Sequence, residues 1–467
     1  MKRNDHALPV AVIGAGFSGT MASVQLIAHL PADRSVLLCE RGEQFGRGRA
    51  YNKINPDHLL NVRAANMSAY PDRPGHFEAW LANRDDTIKP CIDITPAGTF
   101  ASRELYGRYL AEILTDAVSG SDVPRLQLVN DAIVDIWPDG EHLTLRSEGG
   151  RVYPAAAVIL AMGNLTGSPK PASRYWSDPW RTSAYGRLHA HLPVLIVGTG
   201  LTMIDAVATL RRHGFEGRIV ALSRRGLLPA RHEATAPWPT PTFSTAEAGS
   251  LSLLLSRLRN EVAMAHAAGL GWRSVIDALR PITDTLWRGF SAADRSRFLR
   301  HLRPYWDVHR HRAAPSAGVK IADEIAAGNL VVRAGRITTI SDGPNHARVT
   351  YRPRGTLGHE TLDVQCILDA RGVGSVGETD DPLLSRLIGR GLVRPGPFGI
   401  GLHAEADFSV PIPGRNGGAR FWTLGPLLRG VLWECSAVPD IRNQAAELAT
   451  VVADSLALDS LAFMRAR

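Results

Sequence analysis

The 467-residue sequence predicts an α/β fold that uses one unit twice: a strand, a glycine-rich turn, a helix and a second parallel strand. The first unit runs from PVAVI at 9–13 through Gly14-Ala15-Gly16-Phe17-Ser18-Gly19 and a helical pattern at 20–30 to SVLLCE at 35–40. The second runs from PVLIV at 193–197 through Gly198-Thr199-Gly200 and a helical pattern at 202–214 to RIVALSRR at 218–225. Length is the third observation, because a chain this long outgrows a single core and divides into two or three domains.

Around these units, residues 104–118 read as a helix and VYPAAAVILAMGN at 152–164 as a return to the sheet. Residues 126–136 and 143–147 read as strands of a hairpin-like insertion. Leu, Ala, Arg and Trp at helical spacing over 251–312 predict a helical insertion placed to cover a substrate pocket. Alternation returns at 329–370 and ends in CILDA at 366–370. Pro- and Gly-rich stretches at 164–193 and 226–242 are the expected linkers. The expected domains are 1–185, 186–365 with an insertion of about 245–315, and a C-terminal return over 366–467 that completes the first domain.

Hydrophobic residues at 45% and charged residues at 21% exclude a disordered or collagen-like chain. Lys2 and Arg3 before an apolar run imitate a secretory leader, but Gly14, Gly16, Ser18 and Gly19 interrupt the run. No stretch of eighteen apolar residues predicts a membrane span, and a cytoplasmic location is the default expectation. Cys39, Cys91, Cys366 and Cys435 lie far apart, with no C-x-x-C pair, and read as reduced thiols. The net charge of +8 comes from dispersed arginines rather than one basic tract, which argues against nucleic acid.

The spacing of Gly14, Gly16 and Gly19 is that of a dinucleotide fingerprint: a tight turn, close approach to a pyrophosphate, and close packing of helix on strand. Ser18 lies in the same turn, where N–H groups at a helix start face phosphates. Glu40 ends the next strand, 21 positions after Gly19, where a carboxylate accepts from ribose hydroxyls and repels a 2′-phosphate; Arg41 follows it. This first site therefore predicts FAD or NAD, with FAD preferred. The second fingerprint keeps Gly198 and Gly200, then Leu201 and Thr202, and places Met203 where the third glycine stands. Ser223, Arg224 and Arg225 occupy the ribose end, and guanidinium groups there suit a 2′-phosphate, so NADPH is expected over NADH. The alternative for the two arginines is an ordinary charged surface.

With both fingerprints in place, the chain resembles the YdhS-like FAD/NAD(P)-binding proteins, two-dinucleotide-domain flavoproteins. The resemblance rests on VIGAGFSG, GRGRAY at 46–51, HLLNVRAANMS at 58–68, VILAMGN at 158–164, VLIVGTGLTMIDA at 194–206, SRRGLLP at 223–229, YWDVHRHR at 305–312 and LGPLLRGVLWECSAVPDIRNQA at 424–445. It implies a nicotinamide domain inserted into an FAD domain, as in flavin-containing and N-hydroxylating monooxygenases, with Gly163 and Gly425 beside the flavin. It also makes Tyr51 and Asn61 candidates near the flavin, and urate hydroxylation the one named reaction to try.

The expected reaction is hydroxylation of a small molecule with oxygen through a flavin hydroperoxide. His309, His311 and Arg312, with Arg310, are the candidates for holding an anionic substrate or supplying a proton near neutral pH, against the alternative of a charged helix end. No third and fourth ligand accompany the two histidines at zinc spacing. Two other classes stay open: an FAD oxidase or dehydrogenase that makes no use of NADPH, and a flavin redox sensor without turnover. A disulfide reductase needs a redox-active cysteine pair beside the flavin, and this sequence has no such pair. Substrate and oligomeric state are not legible.

Overall fold

The computed structural model describes residues 7–52, 55–120, 124–165, 172–186, 188–372, 374–413 and 420–465. Part of the linker expected at 164–193, residues 166–171 and 187, lies outside these.

The first sheet has five parallel strands in the spatial order Phe421–Thr423, Ala157–Leu160, Val10–Ile13, Val36–Glu40 and Leu126–Asn130. Val10–Ile13 and Ala157–Leu160 are apolar and buried throughout, as a parallel sheet covered on both faces requires. The helix Phe17–His29 packs along the C-terminal helix Val438–Arg465, so the last segment of the chain closes the domain that the first segment opens. Leu126–Asn130 pairs with Val36–Glu40 in this sheet, which corrects the expectation of one hairpin over 126–147. The antiparallel appendage consists of Ile133–Asp139, His142–Ser147 and Val152–Ala155.

The second sheet has seven strands: Trp176–Ser177, Cys366–Asp369, Val194–Val197, Ile219–Ser223, Leu330–Asp342, Ala347–Pro353 and Glu360–Val364. The last three form an antiparallel meander and the others run parallel. Cys366–Asp369 pairs with Val194–Val197, so the second sheet reaches past the boundary expected at 365/366. The apolar run Cys366-Ile367-Leu368 is the physical reason: buried, it fits a central strand, and position in sequence does not say of which sheet. Trp176–Ser177 likewise gives part of the 164–193 stretch a place in this sheet.

Between the strands Ile219–Ser223 and Leu330–Asp342 the chain makes a helical excursion, from Thr245–Ala248 through Leu251–Ala267, Trp272–Ala278 and Thr283–Gly289 to Arg303–Arg310. A further helix, Pro315–Ala326, then returns it to the sheet; sequence patterning left this helix unassigned. Leu251, Leu254, Leu286, Trp287 and Phe290 form the core of the excursion together with Trp433 from the C-terminal return. Among the described residues, no helix is long and apolar enough to cross a membrane.

The two domains meet through polar side chains on the buried face of the helix Leu201–Arg212. Asp205 pairs with Arg103 at 3.1 Å. The Nε2 atom of His58 lies 2.9 Å from the Asp205 carbonyl and 2.8 Å from the Thr209 hydroxyl. A buried carboxylate in an apolar helix needs such a partner.

Candidate cofactor and substrate site

The two fingerprint turns reach the same backbone geometry. Gly14 has φ +99°, and a Cβ there would come 2.6 Å from the Ala161 carbonyl oxygen; Gly198 has φ +118° and would strike the Ala370 carbonyl oxygen. In each unit the blocking carbonyl follows the neighbouring parallel strand, so glycine is required for the same reason twice. Gly16 and Gly200 begin their helices with φ/ψ of −74°/−167° and −84°/−163°.

Neither helix has a side chain capping its N-terminus, whereas Ser102 and Asp381 cap other helices of this chain. The first turn of Phe17–His29, including Phe17, Ser18 and Gly19, is buried. Buried, uncapped N–H groups need an acceptor, and a phosphate supplies one. The residues therefore fit a dinucleotide at each turn. Gly163, at φ +69°, and Gly200 have open space where a Cβ would stand, and Gly425, at φ +72°, lies against the Ser18 hydroxyl. Gly48 packs on Gly16, and the Gly46 N–H donates to the Ala15 carbonyl at 2.9 Å, so the loop after the second strand closes over the first turn.

Glu40 accepts from the Ala15 N–H at 2.8 Å and the Gly42 N–H at 3.3 Å. Each oxygen keeps lone-pair capacity for a further donor. Arg41 turns away to Asp381, 2.6 Å distant. Tyr51 stands edge-on to Tyr106, 4.8 Å between ring centres, with burial pushing its hydroxyl up to about 12. The Asn61 carbonyl is taken by His232.

At the second turn, Met203 is fully buried in the domain core together with Val194, Ile196 and Val207. Its bulk lies beneath the helix rather than in the phosphate approach. Leu201 and Thr202 open the helix, half-buried. Ser223 hydrogen-bonds Thr199 and the Gly226 N–H, both at 2.9 Å, which fixes the loop that presents Arg224 and Arg225. Arg224 is exposed, and Arg225 lies over the Tyr305 ring, 5.2 Å from its centre.

The catalytic candidates are reassigned by their surroundings. Arg312 is 1% exposed, forks onto Asp277 and donates from Nε to the His309 carbonyl at 2.8 Å. It is a buried tie between two helices, its charge already met by the Asp277 carboxylate. His309 donates from Nδ1 to the Tyr305 carbonyl at 2.7 Å and meets Trp272 edge-on. His311 is pushed down to about 3, by burial first and then by Arg310, so it stays neutral and supplies no proton near neutral pH. Sequence gave these three residues a helix end; only the packing of Asp277, Trp272 and Arg310 around them decided their states.

Sequence reasoning missed a polar seam where the helical excursion docks on the segment after Gly425. Arg310 pairs with Glu434 at 3.1 Å and Arg280 with Asp440 at 2.9 Å, while the Glu434 N–H donates to Asp284. Arg303 and Arg429 flank Trp433, with guanidinium carbons 5.9 and 5.0 Å from its centre. Burial lowers the Arg303 pKa, with Arg429 the next cause, and burial raises those of Asp284 and Asp440. The buried atoms Arg310 Nε, Arg429 Nε, Trp306 Nε1, Asp307 Oδ1 and Asp440 Oδ2 have no hydrogen-bond partner among the described residues. The only sequence signal for this seam was the density of Arg and Trp in two distant segments.

A family model described as FAD-NAD(P)-binding matches residues 11–165, the first fingerprint and the sheet around it. No curated protein sequence matches the chain. Among solved structures, the ornithine N-hydroxylase of Kutzneria sp. 744, with reduced FAD, NADP+ and L-ornithine, aligns at TM-score 0.62 and 13% identity, covering 97% of this chain and 100% of that one. The L-lysine 6-monooxygenase of Pseudomonas syringae aligns at 0.60 and 15%, covering 96% and 99%. The bacillithiol disulfide reductase Bdr of Bacillus cereus aligns at 0.52 and 11%, covering 96% and 99%. The fold is thus that of two Rossmann-like dinucleotide-binding domains.

These likenesses lend no support to the narrower YdhS-like or urate-hydroxylase resemblance. Hydroxylases and a disulfide reductase share the architecture, so the chemistry rests on the residues. All four cysteines are free, and burial pushes the Cys39 and Cys366 thiols up to about 12, far from the thiolate a disulfide reductase needs.

Proposed function

We propose that this protein is an FAD-dependent, NAD(P)H-using monooxygenase that hydroxylates a small polar molecule. The observation that carries the reading is the pair of uncapped helix starts in glycine cradles, the first with Glu40 on the Ala15 N–H and the second beside the Ser223 loop that presents Arg224. FAD, when bound, supplies the redox chemistry with oxygen. The N–H groups of Phe17, Ser18 and Gly19 hold its pyrophosphate, and Glu40 accepts from its ribose. Leu201 and Thr202 offer the equivalent N–H groups to the nicotinamide dinucleotide. The helical excursion covers the segment after Gly425 and excludes water from it, and the seam offers both charge signs to a polar substrate: Arg303 and Arg429 beside Asp307 and Asp440. His311, neutral and partly buried, orients by hydrogen bonding and moves no proton near neutral pH.

The test is anaerobic addition of NADPH and NADH to the purified flavoprotein, followed by air, with oxygen and peroxide measured against a substrate panel. Ornithine and lysine enter the panel because structural neighbours are named for them, and urate because of the family resemblance. Flavin bleaching, then substrate-dependent oxygen use with little peroxide, is the expected result. Absence of bleaching by either nucleotide sinks the nicotinamide half of the proposal and favours an oxidase or a sensor.

A further inference from the structure

The second sheet ends in a basic concavity that the glycine turn does not explain. Leu330–Asp342 runs parallel to Ile219–Ser223 as far as the pair Ser223 and Ala334, then joins the meander at Gly335. From there Arg336 is the register partner of Arg352, and the Arg354 N–H donates to the Ala334 carbonyl at 2.9 Å. Gly335 permits this approach, because a Cβ there would come 2.8 Å from the Arg352 carbonyl oxygen. As a result Arg224, Arg336, Arg352 and Arg354 line one surface cavity of about 460 Å³.

Among the described residues, none of these four guanidinium groups has a carboxylate or a side-chain hydrogen bond. Arg348, farther along the same hairpin, forks onto Asp363 at 2.8 and 2.9 Å. Like charges directly across a strand pair oppose folding, and four of them around one concavity with no acid leave a strong preference for a bound anion. The cavity lies at the carboxyl ends of the parallel strands, immediately beyond Ser223, where the ribose of a dinucleotide rests in this architecture. Arg225 is not part of it, since it faces Tyr305 and the carbonyls of Arg300 and His301.

We propose that Arg336, Arg352 and Arg354 of the meander complete, with Arg224, a pocket for the 2′-phosphate of an adenine dinucleotide and make the chain select NADPH over NADH. This rests on the nicotinamide site proposed above. A phosphate monoester dianion offers three acceptor oxygens, enough to engage several guanidinium groups from different strands.

The experiment is calorimetric binding of 2′,5′-ADP, 5′-AMP and inorganic phosphate to the flavin-loaded full chain and to its Arg336→Ala, Arg352→Ala and Arg348→Ala variants, with flavin content as the check on folding. The wild type is expected to bind 2′,5′-ADP at least about tenfold more tightly than 5′-AMP or phosphate, and Arg336→Ala and Arg352→Ala each to lose about three- to tenfold of that margin. Arg348→Ala keeps the margin, which separates the pocket from the overall charge of the hairpin. A margin untouched in Arg336→Ala and Arg352→Ala overturns the proposal while leaving Arg224 and the nicotinamide site standing. Equal binding of phosphate and 2′,5′-ADP overturns it in favour of a general anion site. Failure of both nucleotides to bind overturns the nicotinamide reading with it.

Discussion

The two fingerprint units of this chain reach one backbone geometry with different packing beneath it. In the first, Gly19 brings helix and turn together backbone on backbone, because any Cβ there would strike the Gly14 carbonyl oxygen. In the second, Met203 stands at that position and fills the core below its helix, yet Gly200 starts the helix within about 10° of the angles of Gly16. The glycine that matters at both turns is the first, whose positive φ and neighbouring carbonyl leave no alternative. The third sets how closely the helix packs, and the protein fills that space in two ways.

The largest effect expected comes from making the same lesion in both turns. Gly14→Ala should yield protein with little or no bound flavin, since the methyl group collides with the Ala161 carbonyl in a strained backbone region. Gly198→Ala should keep its flavin and weaken NADPH about a hundredfold. Flavin stoichiometry and nucleotide titration read the pair, and flavin loss in Gly198→Ala would break the claim that the two turns serve separate ligands.

A smaller effect sharpens the contrast at the third position. Met203→Gly restores the fingerprint in sequence, yet it should lower unfolding stability by about 3 kcal/mol, because it empties a packed core position and adds a helical glycine. Denaturant unfolding measures this. Tighter NADPH binding without a stability cost would mean that Met203 obstructs the site.

The smallest effect is a pH dependence centred on the joint between the domains and on the seam. His232 is pushed down to about 4 and His311 to about 3, and His58 is also lowered, burial being the first cause for each. In the unfolded chain these histidines take up protons near pH 6.5, so between that pH and the folded values the unfolded state binds more protons. Their contribution to stability is complete above about pH 6.5 and is lost as pH falls toward 4. Thermal melts across this range should show the decline, and His232→Gln should flatten it. An unchanged slope in that variant would assign the decline to other groups.

Much of the fold was legible because its signals are local. A parallel strand buried on both faces reads as an apolar run, a φ near +100° demands glycine, and Glu40 and Arg224 stand at equivalent strand ends, which is the local signal behind the two ribose chemistries proposed. Those features determined the α/β architecture, the repeated unit and the two cofactor cradles. Membership of Cys366–Asp369 in the second sheet, and of Leu126–Asn130 in the first, was decided by tertiary pairing, since an apolar or alternating strand carries no label for its partner. The same holds for function-bearing side chains. Arg312 and His311 look available in a basic helix end, and only the approach of Asp277, the burial of the imidazole and the neighbouring Arg310 make one a structural tie and the other a neutral ring. Arg336, Arg352 and Arg354 look like scattered surface charge until antiparallel register sets them beside Arg224. Charge state and convergence depend on groups far apart in the chain, so no window of sequence contains them.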